Sequence, residues 1–226
     1  MGVALAQVDF HERQVTLKLV YCGPPQSGKT TNLRTLHQCV DAHGRGRLMT
    51  LDTVDDRTLF FDLLPIFFRA SGFSFRIKVY TVPGQPIHDA TRRVVLQGAD
   101  GIVFVADSAP SQAAANREAW DGLVHHIAAL ELRRAPLIIQ YNKRDLPDRV
   151  DLEEADRFLD DDRTLHAASA LTGEGVVATF FALTEAVWTS LDRDLGLSTR
   201  FGLDAEGFRA ALAAHVGLGD RDSVAP

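Results

Sequence analysis

Cysteine is scarce in this chain: two in 226 residues, Cys22 and Cys39. They form no Cys-x-x-Cys pair and no metal-ligand spacing, so a disulfide framework and a zinc site are both excluded. Each reads as a buried thiol of a protein in a reducing compartment. No uncharged run approaches the roughly 20 residues that cross a bilayer. No tract is of low complexity and no segment repeats. Excess positive charge is missing too. The net charge of −6 gives no global basic field to hold nucleic acid or an anionic membrane. Met1 to Phe10 lacks the basic-then-apolar order of a secretion signal. The final Asp-Ser-Val-Ala-Pro offers no prenylation cysteine, and Gly2 is followed by Ala6 where a myristoylation motif wants Ser or Thr. The expectation is a cytoplasmic protein with no stable membrane anchor and no nucleic-acid partner.

What is present is ordinary in bulk and specific in detail. The hydrophobic fraction of 46% and charged fraction of 24% suit one α/β domain with a sizeable core. Val15–Cys22 reads as a strand with Leu17, Leu19 and Tyr21 on one face, and Lys29 to Val40 as a helix. Residues 57–64 and 73–81 read as a hairpin turning near Ser71-Gly72. Gly101–Asp107 is nearly continuous apolar sequence, the mark of a strand buried on both faces of a parallel sheet. Trp120, Leu123, Val124, Ile127 and Leu130 recur at helical spacing. Pro136–Tyr141 and Thr164–Ala168 read as further strands, and Leu152–Leu159 and Val176–Leu191 as helices. The alternation implies an α/β fold, and the Gly-x-x-x-x-Gly-Lys-Thr motif at 23–30 makes it one of the P-loop NTPase type. Its mostly parallel six-stranded sheet carries helices on both faces and binds ligands at its strand ends. The division is an N-terminal segment over 1–14, a domain over 15–191 and an extension over 192–226 holding one helix, Asp204–Val216.

Three motifs fall at strand ends. Gly23-Pro24-Pro25-Gln26-Ser27-Gly28-Lys29-Thr30 matches Gly-x-x-x-x-Gly-Lys-Ser/Thr between a strand and a helix. Backbone N–H groups of Gly23, Gln26, Ser27, Gly28, Thr30 and Thr31 are candidates to meet phosphate oxygens, Lys29 to add a point charge, and Thr30 also to offer its hydroxyl to Mg²⁺. This motif does not choose between ATP and GTP. Asn142-Lys143-Arg144-Asp145 does. A carboxylate at Asp145 can accept from N1–H and the 2-amino group of guanine, donors that adenine lacks there. Asn142 would tie neighbouring loops together, Lys143 would lie along the base, and Ser169-Ala170-Leu171 would complete the pocket. Thr81-Val82-Pro83-Gly84-Gln85 ends the third strand. Gly84 can approach a γ-phosphate closely, and Gln85 can orient a water, the role of the glutamine in Ras and Gα. A strand-end Asp usually helps hold Mg²⁺ in P-loop enzymes; here the residue is Thr81.

Together these strings resemble the bacterial Ras-like GTPases of the MglA (mutual gliding protein A) family. The residues that carry the resemblance are Gly-Lys-Thr-Thr-Asn-Leu at 28–33, Asp-Arg-Thr-Leu-Phe-Phe-Asp at 56–62, Thr-Val-Pro-Gly-Gln at 81–85 and Gln-Tyr-Asn-Lys-Arg-Asp-Leu-Pro at 140–147. The resemblance spans residues 18 to about 191, and in it the strand-end threonine is a family trait. It implies a GTP/GDP switch of cell polarity and gliding motility, recruited to a cell pole, that hydrolyses GTP slowly alone. It also implies a homodimeric roadblock-fold activator of the MglB type. Carried over, Arg57 is an intrinsic arginine finger and Thr58 reaches Mg²⁺, with Thr53 as the alternative contact. Pro25 departs from the glycine often found in that loop position and removes an N–H.

Three competing readings stay open at this level: a pseudo-GTPase scaffold without turnover, a P-loop kinase, and a GTPase of another pathway. Phe60, Phe61, Phe67, Phe68, Trp120 and Trp188 read as core. His125-His126 lie on an amphipathic helix without acidic neighbours at ligand spacing.

Overall fold

A computed structural model describes residues 6–51, 61–84, 89–153 and 165–216. Its strands are β1 (Gln7–Asp9), β2 (Gln14–Cys22), β3 (Met49–Leu51), β4 (Phe61–Ala70), β5 (Phe73–Thr81), β6 (Gly101–Asp107), β7 (Leu137–Asn142) and β8 (Leu165–Ala167). Its helices are α1 (Lys29–Cys39), α2 (Asp89–Leu96), α3 (Ala113–Ala129), α4 (Val176–Leu195), α5 (Leu197–Phe201) and α6 (Ala205–Val216).

The sheet runs β3-β4-β5-β2-β6-β7-β8, with β1 antiparallel on β2. It has eight strands rather than the six expected. The two additions, β1 and β3, are three residues each, too short to print a period of two in the sequence. From β5 through β8 every pairing is parallel, and the antiparallel pairs lie at β1 and at β3-β4-β5.

Residues 57–60 of the expected second strand lie outside the described residues. The strand itself continues past Leu64 to Ala70, through Pro65. That proline is tolerated because of where its nitrogen points. The Pro65 carbonyl accepts from Gly46 N–H at 2.8 Å, so the missing N–H faces the outer edge and no bond to β5 is lost. The hairpin turns at Ser71 and Gly72, both at positive φ (45° and 79°).

Strand β2 changes neighbour midway. Leu19–Cys22 pair with β6, whereas residues 14–16 pair with β1. Asp100 fills the junction: its carboxylate accepts from Lys18 N–H at 2.7 Å and Ala6 N–H at 2.6 Å. Burial pushes its pKa up, and those two N–H bonds oppose the shift.

Each face of the sheet has its own core. One joins Leu17, Leu19 and Tyr21 of β2 to β4, β5, α1, α4 and α6. The other joins Val20, Phe104, Ile139 and Tyr141 to Val95 and Leu96 of α2 and Trp120 and Leu123 of α3. Trp188 and Phe68 are buried as expected, while Phe67 and Val124 stay 38% and 47% exposed. Cys22 is buried but Cys39 only partly so. Of the expected helix over 152–159, Leu152 and Glu153 are helical and the remainder is outside the described residues.

Beyond residue 191 the sequence suggested one helix; the structure has the end of α4 and then α5 and α6. Helix α6 is part of the core. Phe208, Leu212 and Val216 are fully buried, and Phe208 stacks on Trp188 at 4.6 Å and meets Phe75 edge-on at 5.2 Å. Phe208→Ala should therefore lower stability by about 3–5 kcal/mol, measured by urea unfolding, since an aromatic deleted from a packed core leaves a cavity. A loss below about 1 kcal/mol would mean that α6 is a loose appendage.

Candidate nucleotide site

The carboxyl ends of β2, β5, β6, β7 and β8 deliver Gly23, Val82, Ser108, Lys143 and Ala168 to one rim of the sheet. At this rim a parallel sheet exposes loops and helix N-termini. The loop after β2 turns through Gln26 at φ 60° and Gly28 at φ 97°, then enters α1 with Gly28 as its first cap. Pro25 and Gln26 are exposed, and Ser27 and Lys29 are buried. Lys29 Nζ donates to Gly23 O at 3.0 Å, Pro24 O at 2.6 Å and Ser27 Oγ at 3.4 Å. Burial pushes its pKa down to about 8; nearby Cys22 opposes this and Arg92 adds to it.

Asn142, expected to tie loops together, touches two of them. Its Nδ2 donates to Ser27 O at 2.8 Å and its Oδ1 accepts from Ala170 N–H at 2.8 Å. A Cβ on Gly28 would lie 2.2 Å from that same Nδ2, so only glycine fits there. Asp145 is exposed and accepts from Ser169 Oγ at 2.6 Å. Leu171 is 79% exposed at the rim. Lys143, at φ 66°, ion-pairs with the buried Asp107 at 2.5 Å. Asp107 ends β6 and was not singled out in the sequence, where it reads as the last residue of an apolar run.

The larger omission is Asp62. It is 6% exposed and accepts from three threonine hydroxyls: Thr30 at 2.7 Å, Thr81 at 3.0 Å and Thr50 at 2.8 Å. Its own N–H donates to Thr81 Oγ1 at 3.0 Å. The carboxylate missing from the end of β5 is thus supplied by the adjacent strand β4, across an antiparallel register that pairs Leu63 with Tyr80. In the sequence Asp62 closes the Asp-Arg-Thr-Leu-Phe-Phe-Asp string at 56–62 and reads as a charged residue in a mostly apolar strand, with no role attached. Gly84 lies against the phosphate loop: a Cβ there would sit 2.3 Å from Pro25 N and 2.6 Å from Pro24 C. Thr31 is half-buried in the first turn of α1. Arg57, Thr58, Thr53 and Gln85 lie outside the described residues. His126 has an acidic neighbour that its sequence surroundings did not reveal. Its Nε2 is 2.8 Å from Asp89 Oδ1.

A phosphate loop leading into a helix, beside a bridging asparagine and an Asp–Ser pair at the next strand ends, defines a P-loop nucleotide-binding domain of the Ras-like class. The sequence model of the ADP-ribosylation factor family matches residues 68–187, a span that includes Thr81 to Gln85 and Asn142 to Asp145. The chain is also 42% identical, over 191 residues, to the mutual gliding-motility protein MglA of Myxococcus xanthus (strain DK1622). That alignment covers 82% of this chain and 97% of the relative. The protein belongs to the Arf-type small GTPases and, among them, to the MglA family. It is a small GTPase switch that binds GTP and GDP.

The depressed pKa of Lys29 makes a signed prediction. Held near 8 by burial, the amine is mostly neutral at higher pH, and phosphate oxygens beside it would raise its pKa again. Nucleotide binding should take up more protons at about pH 8.5, where Lys29 is largely neutral, than at about pH 7.5, where it is mostly charged. Calorimetric titration in two buffers of different ionisation enthalpy reads this directly. Equal heats in both buffers at the higher pH would rule it out.

Proposed function

We propose that the chain is a cytoplasmic, Mg²⁺-dependent GTP hydrolase whose conformational switch governs cell polarity or gliding motility. The observation that carries the guanine-nucleotide reading is Asn142 spanning Ser27 and Ala170. One amide thereby fixes the phosphate loop relative to the loop that carries the base contacts. Gly23, Gln26, Ser27, Gly28, Lys29, Thr31 and Gly84 hold phosphate, and Asn142, Lys143, Asp145, Ser169, Ala170 and Leu171 hold guanine. Asp145 is exposed and its remaining lone pairs can accept the two guanine donors.

The site residues fit the cation. A hydroxyl at Thr30 and a carboxylate at Asp62, 2.7 Å apart, form the all-oxygen donor set that Mg²⁺ prefers. With Thr58 they would hold the ion, directly or through its waters. When bound, the ion neutralises charge on the β and γ phosphates. Water oriented by Gln85 attacks the γ-phosphorus, the bond to the bridging oxygen breaks, and GTP with water becomes GDP, inorganic phosphate and a proton. Lys29 and Arg57 stabilise the charge that builds up on the transferring group and leaving oxygen. The activating partner is a roadblock-fold homodimer of the MglB type. The relative's name ties that protein to gliding motility, and the same role is carried to this chain as a proposal.

Asp62, bonded to Thr30 and Thr81, supports the metal reading where the strand-end residue is threonine. Pro25, against which Gly84 lies, bears on rate. Single-turnover GTP cleavage with and without the roadblock partner decides between a hydrolase and a scaffold: no cleavage in either condition favours the scaffold.

Two substitutions test the assignments separately. Asp145→Ala should reduce the preference for GTP over ATP by at least about a hundred-fold in competition binding, because the paired donors of guanine then meet no acceptor. Unchanged preference would overturn the base site. Asp62→Asn should raise the Mg²⁺ concentration needed to slow GDP release by about 10–100-fold, the usual effect of altering a group that supports a metal site. Release that depends on Mg²⁺ as in the parent would remove Asp62 from that role.

A further inference from the structure

Helix α2 begins four residues after Gln85, and its two ends are held by different physics. Its C-terminal half is held by apolar packing, since Val95 and Leu96 are buried with Trp120 and Leu123 of α3. At the first turn Asp89 and Ala90 are exposed, Thr91 is buried and the Arg92 side chain is largely covered. A hydrogen bond from outside α2 reaches Asp89 itself, from His126 on α3.

His126 is only 5% exposed. It occupies a position on the inner face of α3 that a leucine could fill without burying a polar ring. A buried imidazole needs partners for its nitrogens, or its desolvation is uncompensated. Its Nε2 lies 2.8 Å from Asp89 Oδ1, and the same oxygen accepts from Arg92 at 3.2 Å. Burial opposes the charge on Asp89, yet the His126 and Arg92 bonds hold its carboxyl below the ordinary value.

The pair stands directly behind the phosphate loop. His126 and Arg92 line a void of about 10 Å³ together with Cys22 and Gly23, room for no more than about one water. The Arg92 charge is felt at Lys29, where it favours the neutral amine.

We infer that His126 is a positioning residue for hydrolysis: through Asp89 it pins the first turn of α2, the turn that follows Gln85, against α3 and the base of the phosphate loop. This rests on the GTPase reading above. It deepens that reading by naming a residue that acts on the reaction without touching nucleotide. Through the void that Gly23 and His126 both line and the His126–Asp89 bond, the start of the phosphate loop and the first turn of α2 share one neighbour on α3.

The test uses the full chain loaded with GDP or GTP and four variants: His126→Leu, His126→Gln, Asp89→Asn and the double His126→Leu/Asp89→Asn. Asp89→Asn changes an exposed carboxylate and leaves the core intact, so the test survives should His126→Leu fold poorly. The first readout is amide hydrogen exchange in peptides covering residues 89–96. Exchange should quicken by about ten-fold in His126→Leu and Asp89→Asn, as expected for loss of a hydrogen bond to a charged group. His126→Gln, which keeps a donor, should recover part of the protection. The second readout is single-turnover GTP cleavage. Each single variant should slow it, the double variant should be no slower than the worse single one, and GDP affinity should stay within about two-fold.

Unchanged exchange over 89–96, additive effects in the double variant, or a parallel fall in GDP affinity would each overturn the assignment. If the parent cleaves no GTP even with its activator, the hydrolase reading falls, and the exchange readout still decides whether His126 holds α2.

Discussion

The nucleotide site is organised around one buried amide. Asn142 uses its nitrogen on Ser27 and its oxygen on Ala170, so segments 115 and 28 residues away in sequence are locked to the end of β7. A side chain with only donors, or only acceptors, could not do this. The same amide dictates a neighbour. Gly28 is required because a Cβ would occupy the space of Nδ2, and Gly28 at positive φ is in turn what sends the chain into α1 with Lys29 as its first residue. The phosphate loop and the base loop are therefore tied through this pair of hydrogen bonds, shielded from water and so sensitive to loss of either partner, and Thr35 of α1 adds a bond to Ala170 O at 2.7 Å.

Around that fixed centre, charge is placed by the sheet rather than by the loops. Asp62 on β4 stands among three threonine hydroxyls, and two of those threonines, Thr30 and Thr81, belong to the phosphate loop's helix and to the strand end beside it. The carboxylate stands on β4, and Thr81 at the end of β5 donates a hydrogen bond to it. Thr50, from β3, joins the same carboxylate to the strand that leads into residues 52–60. Asp107, likewise buried, pairs with Lys143. Both acids are kept by partners that satisfy them, the condition under which buried charge is tolerated.

The opposite half of the first core depends on the C-terminal helices. Phe208 lies between Trp188, Phe75 and Phe68, and the backbone carbonyl of His215 accepts from Asp41 N–H at 2.8 Å. The segment after α1 is thereby tied to the end of α6. Beyond residue 191, Leu197, Phe208, Leu212 and Val216 pack into the first core. The extension closes the face of the sheet that α1 and α4 leave open over β4 and β5.

The sequence by itself determined the chemistry that is local. The phosphate loop and Asn142-Lys143-Arg144-Asp145 are contiguous, and their glycines and charged groups act through backbone geometry that a few neighbouring residues set. The buried strand Gly101–Asp107 and helix α1 were legible for the same reason, since periodicity and glycine placement are short-range signals. The parallel order of the sheet followed from the alternation of elements, but β1 and β3 did not, being too short to carry a pattern. What only the tertiary structure decided involves partners far apart in the chain: Asp62 beneath Thr30, 32 residues away, and His126 on Asp89, 37 residues away. In the sequence Asp62 is a charged residue in a mostly apolar strand and His126 one of several polar residues on an amphipathic helix, with nothing to say what either meets. Folding brings them together because a buried carboxylate or imidazole is stable only beside groups that satisfy it, and the register of β4 on β5 and the docking of α3 on α2 select those groups.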